Sequence, residues 1–432
     1  MQGRIGTSGE DRISILPESL LSHILCFLTT KDSVKTSVLS SRWRDLWRWD
    51  PRLDLDKSDF SEDNTCVSFV DKFLNFRGDS YLRGFKLNAD HDDYENSTVE
   101  AYLMRVVKCK IQHFEIKNHF GFCILPTTPS IFLMCDTLVS LKFSFVILND
   151  FKSCPLPRLK TLHFEKVVFP GDDAAETIIS CSPVLEALKM SQGRYDSVQV
   201  LHVRSKSLRN LTLERTDPDC VENGGHTVVI DTPRLEYLSL KDYQYKSFKI
   251  VTMSESVKVD IDVVFEAVGG VAGALVERNN ICDFLTRVSN VRDLTISRKT
   301  LEFIYSYLEM NPRFKFHGLA RLRVTMFSNS SPEMLPVILE TCPNLKQLSL
   351  ELVHDSLVTQ GESGLLTLLP RSLISSLESV DITSPITDKA TELDLKLVLR
   401  LNQSCRKKHS PGLLKQLFES PRRSSFCQFV IL

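Results

Sequence analysis

The residues able to do chemistry in this chain do not gather into a reacting set. Ten histidines are scattered along 432 residues. There is no HExxH run to put two imidazoles and a carboxylate on one helix face, and no GxSxG turn to expose a nucleophilic serine. Asp90-His91-Asp92-Asp93 has the atom types of a metal site, but adjacent side chains rarely converge on one ion, so a solvated loop is expected there. Gly269-Gly270-Val271-Ala272-Gly273 lacks the lysine and the serine or threonine of a phosphate-binding loop and reads as a flexible connection. The 12 cysteines contain no CxxC pair and are expected to act as small buried apolar groups in a reducing compartment. A reacting centre needs nucleophile, base and oxyanion donors within reach of one another. Their dispersal predicts that the chain is not an enzyme and uses no cofactor or metal.

What remains is binding chemistry, and it is concentrated near the amino terminus. Leu20, Leu21, Ile24, Leu25 and Leu28, then Val34, Val38 and Leu39, recur at the spacing that lines one face of a helix. Pro17 and Glu18 suit a first helical turn, where a missing N–H costs nothing and a carboxylate meets the positive end of the dipole. Thr30 can cap a second helix with Asp32 in its first turn, and Ser40 or Ser41 a third that carries Trp43, Leu46 and Trp47. A unit of roughly 40 residues usually needs a metal, a disulfide or a partner to fold. Neither of the first two is present here, so the excess apolar surface predicts a permanent partner interface.

The segment Asp11 to Asp56 resembles the F-box of plant F-box proteins that also carry leucine-rich repeats and a carboxy-terminal FBD domain. The matching runs are Leu16-Pro17 with Leu20-Leu21 and Ile24-Leu25, then Thr36-Ser37-Val38-Leu39-Ser40, then Arg42-Trp43-Arg44 with Leu46-Trp47. Thr29 stands where the family commonly has proline, and Ser33 where it has a small apolar residue. The resemblance implies docking on a Skp-type adaptor, and through it on a cullin-RING ligase, with Leu16, Pro17, Leu20, Ile24, Val38 and Trp43 as the chosen contacts. For each of these residues taken alone, filling the small helical core is the competing role.

Composition narrows the partners. With 53 basic and 54 acidic residues the net charge is -1, so no global field draws the chain to nucleic acid or to an acidic membrane. The polar stretch Met1 to Glu10 does not read as a secretory signal, and Val263 to Val276, interrupted by Glu266 and glycines, is too short to span a bilayer. A soluble protein of the nucleus or cytoplasm is expected. The sequons at Asn96 and Asn210 would then go unused.

Beyond the F-box a short signature recurs: apolar, two variable, apolar, one variable, apolar. It appears as Leu82-Phe85-Leu87, Ile111-Phe114-Ile116, Leu138-Leu141-Phe143, Leu159-Leu162-Phe164, Leu185-Leu188-Met190, Leu208-Leu211-Leu213 and Leu235-Leu238-Leu240. Weaker or later copies are Val259-Ile261, Val291-Leu294-Ile296, Leu319-Leu322-Val324, Leu345-Leu348-Leu350 and Leu377-Val380-Ile382. The last two apolar positions of each copy alternate as in a strand with one buried face. Intervening stretches such as Ala174 to Ser180 and Met334 to Thr341 have helical spacing and end near Pro183 and Pro343. Strand, loop, helix and return make one turn of a solenoid whose sheet is a long recognition surface. Lys142, Lys160, His163, Lys189, Thr212, Ser239, Gln347 and Ser349 are expected to face outward there and to be candidates for target contact. Sensing of a small ligand would require a deep polar pocket.

From Leu369, Pro370-Arg371-Ser372-Leu373, Leu413-Leu414-Lys415-Gln416-Leu417 and Cys427-Gln428-Phe429-Val430-Ile431 resemble the FBD domain, and read as strand, helix and strand closing the array. Leu393, Leu395, Leu397, Leu399 and Leu401 alternate strictly in a stretch shorter than the family pattern. Arg406-Lys407-Lys408-His409 is expected to be a solvated loop, with nuclear targeting as the alternative. The expected organisation is therefore α/β: a small three-helix F-box at 11–56, an irregular leucine-rich-repeat solenoid at 57–368, and an FBD-like cap at 369–432. The implied function is substrate recognition for an SCF-type E3 ubiquitin ligase, the target unknown. The alternative is a non-degradative F-box/LRR scaffold or decoy.

Overall fold

Pro17 is the N-cap of the first helix, α1 (Glu18–Leu25), with Glu18 in its first turn. Leu21 and Leu25, one turn apart, are buried. The computed structural model describes residues 13, 15–60, 63–77, 82–89, 97–118, 123–125, 135–148, 155–193, 198–215, 226–242, 245–263, 283–327, 334–353, 377–388, 391–401 and 427–431. Helix α2 (Thr30–Lys35) is capped by Thr29 and not by Thr30: Thr29 has the extended backbone a cap requires, and the Asp32 N–H donates to its Oγ1 at 3.2 Å. Thr30, already helical, is buried, and its hydroxyl oxygen accepts the N–H of Asp54 at 2.8 Å.

The expected third α-helix is absent. The chain makes a short 3-10 turn at Thr36–Val38, a run of turns, and a second 3-10 turn at Leu46–Trp49. Trp43 donates its N–H to Ser40 and Arg48 to Asp45, both three residues back. In that tighter winding residues three apart eclipse. Trp43 and Leu46 are both buried, in a core shared with Leu21 and Leu25.

The next residues form β1 (Arg52–Asp56), which pairs in parallel with β2 (Gly84–Ala89). The end of the segment expected as F-box is thus the first strand of a sheet. The chain divides into two compact units at Leu185. In the first, β1 and β2 are followed by β3 (His113–Asn118), with β4 (Cys123–Leu125) set aside. The main sheet resumes at β5 (Ser140–Ser144), β6 (Val146–Leu148) pairs with β4, and β7 (Thr161–Glu165) completes the unit's main sheet. All main-sheet pairings in this unit are parallel and in register. Helices α3 (Asp63–Arg77), α4 (Ser97–Lys108) and α5 (Asp172–Ser180) run between strands.

In the second unit the parallel sheet runs through β8 (Ala187–Gln192), β10 (Asn210–Arg215), β12 (Tyr237–Asp242), β14 (Lys258–Val263), β15 (Asp293–Ile296), β16 (Arg321–Phe327), β17 (Gln347–Val353) and β18 (Ser379–Asp388). Three successive returns here are strands, not the helices expected: β9 (Val200–Arg204), β11 (His226–Thr232) and β13 (Tyr245–Met253) form a second parallel sheet. Leu201, Val203, Val228 and Ile230 alternate along β9 and β11 and are buried, the pattern of a half-buried strand. Helices α6 (Arg298–Met310) and α7 (Met334–Glu340) return the later repeats.

Every apolar position of the repeat signature from Leu82 to Val380 is buried. At β14 the copy is one residue short, and Val257 supplies the first apolar group in place of exposed Ser256. Phenylalanines meet along the first unit, with ring centroids 5.6 Å apart for Phe85 and Phe114 (tilted), 6.2 Å for Phe114 and Phe143 (edge-to-face), and 6.1 Å for Phe143 and Phe164 (stacked). Such pairs add about 0.5–1.5 kcal/mol each beyond their burial.

The parallel run ends at β18. Strand β19 (Thr391–Leu401) pairs with it antiparallel, and β20 (Cys427–Ile431) pairs antiparallel with β19. Only residues 389–390 join β18 to β19. A parallel crossover needs a dozen residues or more, so a link this short forces a hairpin.

Candidate docking surfaces

The F-box core is small and its outer face is apolar. Leu20 and Ile24, one helical turn apart on α1, are 48% and 39% exposed, and Phe27, at the next turn of the same spacing, is 79% exposed. Val38 is 86% exposed at the end of its 3-10 turn. Pro17 is exposed, and Leu16 is half-buried against the core, its carbonyl accepting a hydrogen bond from Arg42 at 2.8 Å. Trp43 lies elsewhere: at 3% exposure it is a core residue, packed with Leu21, Leu25 and Leu46. Its effect on docking would have to pass through the fold of the module. Phe27, Leu39 and Ile15, not among the expected contacts, are exposed large apolar residues of the same segment. The spacing of Phe27 from Ile24 and Leu20 was the available signal.

Both departures from the family pattern are absorbed within the module. Thr29 supplies the cap of α2, and the buried Ser33 hydroxyl donates to the Leu25 carbonyl at 3.4 Å. Behind the core, Trp47 stacks on Phe69 and Phe73 of α3, with centroids 5.7 Å and 6.1 Å away. Arg77 at the end of α3 is buried and donates from Nη1 to the carbonyls of Arg48 at 2.9 Å and Asp50 at 2.7 Å. Burial pulls the Arg77 guanidinium below its ordinary range, with Asp50 opposing that shift. The F-box is thereby clamped to α3.

The outer faces of the main strands carry the second set of candidates. In the first unit Lys142 and His163 are register partners on β5 and β7, and Lys160 is exposed just before β7. In the second, Lys189, Thr212 and Ser239 follow one another in register across β8, β10 and β12, while Gln347 and Ser349 lie on β17. Lys142 and Lys189 are held by carboxylates, Glu115 and Glu214, each at 3.0 Å. Ser239 does not face solvent as expected: it is 2% exposed, a small side chain set between Tyr237 on its own strand and Asp260 on the next, which hydrogen-bond to each other at 3.4 Å. Expectations for Asp90 to Asp93, Gly269 to Gly273, Arg406 to His409 and Leu413 to Leu417 lie outside the described residues. No helix among the described residues is long and apolar enough to cross a membrane.

Comparison with known proteins matches these two regions separately. A family model described as the F-box domain matches residues 13–55, and one described as the LRR repeats of FBD-associated F-box protein At5g56370 matches residues 99–261. Over its whole length the chain is 70% identical to FBD-associated F-box protein At5g18780 of Arabidopsis thaliana, covering 100% of both. It is 52% identical to F-box/FBD/LRR-repeat protein At5g18770 of the same plant, covering 100% of this chain and 94% of the other. Identity to that plant's F-box/LRR-repeat protein 13 is 38%, over 99% of this chain and 97% of the other.

Proposed function

Since the chain belongs to the F-box/FBD/LRR-repeat family of plant proteins, we propose that it is the substrate-recognition subunit of an SCF-type ubiquitin ligase. Its F-box docks on a Skp-type adaptor, and through it on a cullin-RING ligase, while the repeats hold a target protein. The chain contributes no reacting group. It accelerates ubiquitin transfer by tethering, which raises the effective concentration of the target at the ligase. The parallel register within each unit supports the solenoid reading of the repeats, with the outer strand faces as the target surface.

The observation that carries the proposal is the row of Leu20, Ile24, Phe27 and Val38, large apolar groups left outside a core already filled by Leu21, Leu25, Trp43 and Leu46. An isolated module would gain nothing from them in water; a partner surface would bury them. The test is co-purification of the full chain with a Skp-type adaptor, comparing the native sequence with Leu16→Ala/Pro17→Ala. The native chain is expected to retain adaptor and the double variant to lose most of it. A native chain that brings down no adaptor would sink the ligase reading. Proximity labelling with and without proteasome inhibition then separates ligase subunit from scaffold or decoy, since only for the former do labelled neighbours accumulate when degradation is blocked.

A further inference from the structure

A cavity of about 240 Å3 opens in the first unit where the end of the F-box meets the first strands. Its floor is Gly84 on β2, between Arg52 of β1 and His113 of β3 in register. A Cβ placed on Gly84 would come no nearer than 3.4 Å to Arg52 Cγ and 3.8 Å to His113 Cβ, ordinary contact distances. Packing therefore does not demand glycine here. The effect of its missing side chain is to keep the space open.

The charges around that space are unevenly satisfied. Glu115 and Lys142 hold each other at 3.0 Å, and Arg52 reaches Asp50 at 3.5 Å. Asp54 and Lys86, register partners on β1 and β2, form a looser ion pair: their charged atoms stand 3.9 Å apart, beyond a hydrogen bond. Among the described residues no hydrogen bond reaches the Asp54 carboxylate. Burial raises the Asp54 pKa, with Lys86 pulling it back, as expected of an acid that is partly desolvated and incompletely paired. One acceptor and one donor of opposite charge thus face the cavity with bonding capacity to spare. The volume matches about eight waters at their liquid share of about 30 Å3 each, hence a ligand on the order of ten non-hydrogen atoms.

We propose that this cavity binds a free α-amino acid, its carboxylate taken by Lys86 and its ammonium by Asp54, with Leu28 and Thr30 of the F-box closing one side. The inference does not rest on adaptor docking. It gives the first unit a small-ligand site touching both the F-box and the repeats.

The test is calorimetric titration of the full chain with a panel of the free L-amino acids, with acetate and methylammonium as single-charge probes. At least one amino acid is expected to bind, and neither single-charge probe to do so at the same concentration. Asp54→Asn and Lys86→Met should each weaken binding at least tenfold, and Gly84→Val, which fills the floor, should abolish it. Lys108→Met, exposed on α4, should leave it unchanged. The near-isosteric Asp54→Asn keeps the test decisive should Gly84→Val fail to fold. The proposal is overturned if no amino acid binds the native chain, if binding survives Gly84→Val or Asp54→Asn, or if acetate or methylammonium alone binds as well.

Discussion

At Val38 an apolar side chain stands 86% exposed, while Trp43, five positions on, is 3% exposed. The two variants Val38→Ala and Trp43→Ala should therefore separate docking from folding. Val38→Ala is expected to leave urea unfolding within about 0.5 kcal/mol of native, as surface substitutions do, and to reduce adaptor retention severalfold. Trp43→Ala should cost about 3–5 kcal/mol of stability by emptying the core. Equal destabilisation by the two would contradict the division between core and surface. At Cys342 the thiol is buried and its pKa is pushed up to about 12, so it should resist alkylation until the chain unfolds. His113 gives a pH dependence. Burial and neighbouring Arg83 hold its imidazole below the ordinary value of 6.5, so as pH falls through that value the unfolded chain takes up the proton first. Its contribution to stability is full above that range and is lost below it. His113→Gln should therefore show a smaller fall in melting temperature than the native chain between about pH 8 and about pH 5.5.

Among the elements, the repeats depend on turns as much as on strands. Gly318, between α6 and β16, leaves no room for a Cβ: an added carbon would overlap the backbone carbonyl of Asn290, and the Gly318 N–H already donates to Ser289 at 3.0 Å. Gly318→Ala should cost about 1–3 kcal/mol, the range for overpacking, read as a lower urea midpoint at unchanged slope. The strictly alternating leucines from Leu393 to Leu401 lie within β19. Its direction, antiparallel to β18, came from the length of the connection. Leu201 and Val203 alternate in the same way along β9, where the expected repeat had a helix as its return. The assumption of a uniform repeat misled there.

At the scale of the whole molecule, F-box and repeats are not separable beads, because β1 belongs to both. A chain beginning at residue 57 would lose the β1 pairing, the burial of Leu53 and Leu55 at about 1.5–3 kcal/mol each, and the carbonyls that hold Arg77. Hydrogen exchange should then accelerate at the β2 amides of Phe85 to Asn88, and unchanged protection there would argue that the F-box is independently attached. Which residues are apolar and at what period was readable from the chain alone, so the F-box segment and the strand positions of nearly every repeat could be stated without coordinates. Periodicity reports that side chains share a face. It does not report whether that face meets a neighbour. That is why Trp43 and Val38, both apolar in matching runs, part company, and why Ser239 is covered while Thr212 beside it is only half-buried. The loose ion pair of Asp54 and Lys86 and the notch at Gly84 come from strands far apart in sequence, and only their parallel register brings them to one place.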